Sequence, residues 1–118
     1  MSFKENKRKI FEKLKNEGLT DDVKVEIIKL YGERGKKAIK AVEEDRVKKM
    51  GDDWIVVGWA RDYKVVGEFC GCTDYMINIE LKKVGVDMCY HALAKRIAEI
   101  TGRYKVFESV EQFVVGEE

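Results

Sequence analysis

Apolar side chains recur every three or four positions through the first 45 residues, with lysines, arginines and carboxylates between them. This spacing matches the 3.6-residue turn of an α-helix and predicts a run of amphipathic helices. Thr20, followed by Asp21 and Asp22, is placed to cap the start of the second helix. The predicted helices cover residues 3–17, 21–31 and 33–44, within an N-terminal helical segment 1–45.

The pattern then becomes typical of β-strands. Residues 54–60 combine β-branched and aromatic side chains in a run that suits the central strand of a sheet. Short polar stretches at 51–53 and 61–62 supply turns on either side of that run. We therefore predict a three-stranded antiparallel meander over residues 46–50, 54–60 and 63–69, whose last strand runs directly into Cys70.

Strand and helix signals are mixed in the next part of the chain. Residues 75–81 alternate apolar and polar positions like a strand, yet Thr73 and Asp74 could equally cap a short helix, and the pattern leaves both open. Residues 82–87 are predicted to form a loop. Residues 90–101 are predicted to form a helix that ends at Gly102.

The C-terminal tail, residues 104–118, is apolar enough to pack back on the rest of the chain, and it predicts a further helix from Ser109. The resulting fold prediction is α+β: N-terminal helices, a three-stranded antiparallel meander, a metal-binding knuckle and a following helix. We expect one compact domain, with its core over residues 46–103.

The charges of the chain nearly cancel. Its 118 residues carry 23 basic and 22 acidic side chains, a formal net charge of +1. This balance excludes a strongly basic nucleic-acid clamp. No run approaches the ~20 apolar residues of a membrane span, and the first ten positions are charged rather than signal-like. We expect a soluble, cytoplasmic protein with no membrane partner.

The residues that prefer soft metal ions are few and clustered. The chain has three cysteines and a single histidine, and all four lie close together: Cys70, Cys72, Cys89 and His91. An odd cysteine count argues against a disulfide framework, whereas three thiols and one imidazole are the donor set of a closed structural zinc site. We predict a structural Zn²⁺ here. The alternatives are ordinary buried thiols and a Cys70–Cys72 disulfide.

The spacing within each ligand pair constrains the local structure. Sulfurs at positions i and i+2 of a straight strand are too far apart to share one ion, so the chain is expected to bend at Gly71. Positions i and i+2 inside a helix face apart, so Cys89 is expected to precede the helix and His91 to lie in its first turn. Asp74 and Asp87 are the candidate acceptors for the free ring N–H of His91.

Enzymatic chemistry has little support in the sequence. Four protein ligands leave no open position for water on a zinc ion, and the only histidine is then committed to the metal rather than to a Ser–His–Asp set. The glycines at 32 and 35 lack the spacing of a phosphate-binding loop. We therefore expect a non-enzymatic protein.

Residues 63–101 resemble the SWIM zinc-finger family, and in particular its small stand-alone archaeal members. The resemblance lies in a strand pair, Cys70-Gly-Cys72, a spacer, Cys89-Tyr-His91-Ala and an apolar helix. Carried over by position, it implies that these three cysteines and His91 hold zinc. It also implies a module that binds DNA or proteins, in recombination or repair beside a RecA-family ATPase.

Two functions are compatible with this resemblance, and the oligomeric state is open. In the first, cations around the knuckle contact the phosphates of DNA. The candidates are Lys82, Lys83, Lys95, Arg96 and Arg103, with a second patch at Lys36, Lys37 and Lys40. The alternative is a protein-interaction adaptor with structural zinc and no nucleic-acid binding. The near-zero net charge favours it, as does the apolar run 54–60, in which Trp59 is the candidate contact for a partner.

Overall fold

Three amphipathic helices form the N-terminal part of the protein. The computed structural model describes residues 2–58 and 61–107. The Ser2 side chain accepts a hydrogen bond from the backbone of Glu5, and the Thr20 side chain accepts one from Val23, so both caps satisfy free N–H groups at a helix start. The helices match the predicted ranges to within one residue: α1 (Phe3–Glu17), α2 (Asp21–Tyr31) and α3 (Glu33–Glu43).

A five-stranded mixed sheet follows the helices, where the sequence predicted three antiparallel strands. The predicted meander is present, and two further short strands extend it at opposite edges. The strands are β1 (Val47–Met50), β2 (Asp53–Val57), β3 (Asp62–Val66), β4 (Phe69–Cys70) and β5 (Lys105–Phe107). Their order across the sheet is β4-β3-β2-β1-β5, and only the β1–β5 pair is parallel.

The expectation of one strand over residues 63–69 that runs straight into Cys70 was wrong. The chain reverses at Gly67, whose φ of +62° is a conformation that glycine adopts without a Cβ penalty. Strand β4 then pairs antiparallel with β3, which sets Cys70 opposite Val65. Both residues are buried, so the hairpin directs the first cysteine into the core.

Two further helical elements follow Cys72 and Cys89 in the described chain. Of the two alternatives left open for residues 75–81, the structure has the helical one, as a π-helical turn Tyr75–Ile79. Helix α4 (Tyr90–Thr101) has the predicted bounds and ends at Gly102, whose φ of +74° is left-handed. The helix predicted from Ser109 and the predicted contact of Trp59 with a partner both fall outside the described residues.

Helix α4 lies at the centre of the packing. It contacts α1 and α3 on one side and strands β1–β4 on the other. Its buried Leu93 and Ile97 belong to the same hydrophobic core as Ile27 and Val56. The architecture is therefore α+β, as predicted, with α4 enclosed between the helices and the sheet. Among the described helices, none combines the length and the apolar character that crossing a membrane requires.

Candidate metal centre

Four side chains from two separate segments of the chain, 70–72 and 89–91, converge beside the start of α4. Cys70 ends β4, Cys72 follows it in the connecting segment, Cys89 precedes α4 and His91 is the second residue of that helix. Their sulfur and ring-nitrogen atoms all lie within 4.8 Å of one another, and all four residues are buried. The three cysteines are free thiols, so the alternative of a Cys70–Cys72 disulfide is not formed.

The local backbone explains how each pair approaches a common point. Cys89 is the N-cap of α4, with extended backbone angles, and its Sγ lies 3.5 Å from the amide N of Ala92, which donates to it. The amide N of Tyr75 donates in the same way to Sγ of Cys72, at 3.3 Å. Cys89 thus precedes the helix and His91 lies in its first turn, as the spacing predicted.

The three thiols do not titrate as ordinary cysteines. Hydrogen bonds from the neighbouring thiols of Cys70 and Cys89 lower the pKa of Cys72. The same contact with Cys72 is the main reason that the pKa of Cys70 is raised to about 11. The pKa of Cys89 is also raised, by Cys70, by Cys72 and by burial. Three thiolates at this distance need a shared cation, and metal binding releases their protons.

The environment of His91 provides the test of whether a metal fits. The residue is only 6 % exposed, yet neither ring nitrogen has a hydrogen-bond partner among the described residues. Buried polar atoms without a partner are rare because each one loses its hydration without compensation. An ion bound to one nitrogen and to three sulfurs would account for one of these two orphaned nitrogens. The donor set therefore fits a four-coordinate zinc site.

The expectation that Asp74 or Asp87 accepts the second ring N–H of His91 was wrong. Both carboxylates bind elsewhere: Asp74 accepts from Arg34 and Asn78, and Asp87 accepts from Lys7 and Tyr31. The imidazole instead lies against two aromatic rings. Ring centroids are 4.1 Å apart for Tyr63 and His91 and 3.9 Å apart for Tyr90 and His91.

A solvent-open cavity of about 460 Å³ borders the centre. Cys72 and His91 form part of its wall, beside the rings of Tyr63 and Tyr90. The sequence analysis did not single out these tyrosines or Arg34, which also lines the cavity. Tyr90 stands between two ligands in the sequence, a position that could have indicated contact with the imidazole.

The predicted nucleic-acid residues do not form one exposed surface. Lys95 is only 6 % exposed and its Nζ lies 2.9 Å from a carboxylate oxygen of Glu99, so it is not presented to a phosphate backbone as predicted. Two more of the cations bind within the protein: Arg96 donates to Glu68, and Arg103 donates to the carbonyl oxygen of Glu43. The exposed members of the predicted patches are Lys82, Lys83, Lys36, Lys37, Lys40 and Arg103, the last of which is bound to the Glu43 carbonyl.

Comparison with known proteins places the chain beside a relative of unknown activity. It is 35% identical over 79 residues to an uncharacterized protein of Archaeoglobus fulgidus, a match that covers 67% of this chain. The chain covers 66% of that relative, just under two thirds of its length. No family model matches the chain, and no solved structure matches it.

Proposed function

We propose that Cys70, Cys72, Cys89 and His91 bind one structural Zn²⁺ and that the protein is a non-enzymatic, SWIM-type module for macromolecular interaction. The observation that carries the proposal is the convergence of three buried thiols on an imidazole whose nitrogens have no hydrogen-bond partner in the described part of the chain. The only histidine and all three cysteines of the chain are used in this one cluster.

A structural role for the ion follows from the number and origin of its ligands. Four protein donors complete a tetrahedral sphere and leave no position for a reactive water. The donors come from the end of β4 and the start of α4, so one ion would join the sheet edge to the central helix. Zinc that connects such segments contributes folding free energy directly.

The exposed apolar residues support a protein partner. Of the seven large hydrophobic side chains that are exposed in the described part of the chain, five lie between positions 66 and 81. We call them the knuckle patch: Val66, Phe69, Met76, Ile77 and Leu81. Val66 faces Phe69 across the β3–β4 hairpin, and the Phe69 ring packs edge-on against Tyr75 at 5.0 Å. Apolar groups gathered in this way mark contact surfaces on soluble proteins.

The charges beside the patch indicate the chemistry of that partner. Lys82 and Lys83 follow Leu81 directly, and both are exposed. An apolar partner surface bordered by carboxylates would complement this arrangement. The SWIM resemblance supports a RecA-family ATPase as the first partner to test.

DNA is the second candidate ligand, and the same two lysines support it. With Lys95 buried and Arg96 bound to Glu68, fewer cations remain for phosphate contacts than the sequence predicted. Any DNA binding should therefore be weak, and its salt dependence should be shallow because few phosphates are neutralised.

The proposal is tested in two stages on the full chain. Metal analysis of protein purified without added zinc should give one zinc per chain; metal-free, fully folded protein would overturn it. The zinc-loaded protein is then titrated with a RecA-family ATPase and, separately, with labelled single- and double-stranded DNA at two salt concentrations. Absence of binding in every titration would contradict the interaction module.

Surface variants then separate the two ligands. Ile77→Ser combined with Leu81→Ser should abolish protein binding, whereas Lys82→Gln combined with Lys83→Gln should reduce DNA binding most. Val106→Ser is the matched control, because Val106 is equally exposed but lies on β5 at the opposite edge of the sheet. Loss of protein binding in the control would show that the knuckle patch is not the contact surface.

A further inference from the structure

Three carboxylates each lie two residues in the sequence from one of the cysteine ligands. Glu68 lies two residues before Cys70, and the other two are similarly placed: Asp74 two residues after Cys72 and Asp87 two residues before Cys89. Each of the three accepts hydrogen bonds from residues far away in the chain. The backbone that carries every cysteine is therefore anchored immediately beside it.

The anchor beside Cys72 comes from α3. Nε of Arg34 lies 2.9 Å from one oxygen of Asp74, and Nη2 lies 2.7 Å from the other. This two-point contact fixes the orientation of the carboxylate as well as its position. Asn78, in the π-helical turn, also donates to Asp74, at 2.9 Å, so the segment after Cys72 is held from both sides.

The anchors beside the other cysteines come from α1 and α2, together with Arg96 of α4, which donates to Glu68 at 3.0 Å. Nζ of Lys7 lies 2.6 Å from Asp87 and 3.4 Å from Glu68, so one lysine reaches the segments before Cys89 and before Cys70. The hydroxyl of Tyr31 donates to Asp87 at 2.8 Å. Burial and the neighbouring Asp87 charge raise the pKa of Tyr31, so the phenol keeps the proton that it donates.

We propose that Arg34, Lys7 and Tyr31 are positioning residues for the metal centre, and that the N-terminal helices hold the ligand pairs at coordination distance before the ion arrives. A site assembled from distant segments loses the conformational entropy of those segments when it binds. Contacts that order the segments in advance remove part of that loss. Residues that hydrogen-bond directly to metal ligands commonly change metal affinity ten- to hundredfold, and we expect the lower end of that range here because these contacts lie two positions from the ligands. The inference rests on the proposed metal binding.

An ion pair elsewhere on the same helices supplies a matched control. Lys24 on α2 pairs with Glu43 at the end of α3, and its side chain is 29% exposed, against 26% for Arg34. Glu43 stands nine residues along α3 from Arg34, about 13 Å at 1.5 Å per residue. Replacing Lys24 by methionine removes an ion pair between α2 and α3, and replacing Arg34 removes one between α3 and the segment after Cys72. The two cations are similarly buried, but only the Arg34 pair adjoins a candidate ligand.

The experiment measures Zn²⁺ affinity by competition with a chelator of known affinity, in the full-length variants Arg34→Met, Lys7→Met, Tyr31→Phe and Lys24→Met. The first two should weaken zinc binding about tenfold or more. Tyr31→Phe should weaken it less, and Lys24→Met should leave it unchanged at a comparable melting temperature. Co²⁺ in place of zinc should show a distorted visible spectrum in Arg34→Met and an unchanged one in Lys24→Met.

The outcomes separate this inference from the proposed function. If the unmodified protein binds no metal, the proposed metal centre fails. If it binds zinc and Arg34→Met binds as tightly as Lys24→Met, with the same cobalt spectrum, the positioning role is overturned. Should Arg34→Met and Lys7→Met fail to fold, Tyr31→Phe decides the question, because it removes only a hydroxyl; unchanged affinity and spectrum in that variant would overturn the role.

Discussion

The ring of Tyr63 on β3 stacks against the imidazole of His91 on α4, with centroids 4.1 Å apart and planes tilted by 36°. The contact joins the sheet to the candidate metal centre through an aromatic face rather than a hydrogen bond. Tyr90 approaches the same imidazole at 3.9 Å. Since neither His91 nitrogen has a hydrogen-bond partner in the described protein, these rings set the orientation of the ligand.

We expect Tyr63→Phe to retain zinc affinity and Tyr63→Leu to weaken it. Phenylalanine keeps the stacking ring, whereas leucine loses an aromatic contact of about 0.5–1.5 kcal/mol, which is roughly a two- to twelvefold change in binding. Chelator competition on both variants measures the difference. Equal losses in the two variants would mean that the tyrosine hydroxyl, not the ring, matters.

The second prediction concerns the ligands themselves. Cys89→Ser and His91→Ala should lower zinc content and melting temperature together, because structural zinc can contribute about 10 kcal/mol of folding free energy. Metal analysis and thermal unfolding on the same samples test this. Chelation of the unmodified protein should reproduce the loss of stability, and one zinc per chain in both variants would contradict the assignment.

The third prediction contrasts two glycines of the knuckle. The sequence suggested that Gly71 is needed for the bend between Cys70 and Cys72, but its φ is not among the positive values, and a Cβ there would meet nothing within 4 Å. Gly67 has equal space but a φ of +62°. Gly71→Ala should therefore be neutral, whereas Gly67→Ala should cost about 1–2 kcal/mol, the cost of a left-handed conformation for a residue with a side chain.

Thermal unfolding and zinc content of the two alanine variants provide the comparison. A larger loss in Gly71→Ala than in Gly67→Ala would mean that the bend depends on glycine at 71 after all.

The helices could be predicted because their signals are local. Thr20 and Gly102 mark helix ends within a few residues of the apolar pattern that they bound, so α2 and α4 match their predicted ranges. Strand β5 gave no such signal. It is three residues long and exists because it pairs in parallel with β1, more than fifty residues earlier in the chain.

The candidate ligands could be predicted because cysteine and histidine are scarce and clustered in this chain. The residues around them could not. Arg34 is one of 23 basic residues, and its contact with Asp74 spans forty positions, so nothing local distinguishes it. Lys95 illustrates the opposite error: it belongs to a basic pair in the sequence, yet it lies buried on α4 with its Nζ 5.3 Å from the Trp54 ring centroid.

The last prediction uses a close contact between α2 and α3. Gly35 lies inside α3, where alanine would ordinarily stabilise a helix by about 0.5–1 kcal/mol. Here an added Cβ would stand 2.9 Å from the carbonyl oxygen of Ile27 and 3.2 Å from Cα of Ile28, both backbone atoms of α2. The helices would have to separate, so Gly35→Ala should destabilise the fold by about 1–3 kcal/mol despite its better helix propensity.

Thermal unfolding of Gly35→Ala beside Lys40→Ala, an exposed site on the same helix, tests this prediction. Lys40→Ala should change the melting temperature little, because it alters neither packing nor backbone freedom. Because Gly35 adjoins Arg34, a displaced α3 should also carry the guanidinium away from Asp74, and zinc affinity should fall in Gly35→Ala alone. A higher melting temperature in Gly35→Ala would mean that the two helices are not in contact at this position.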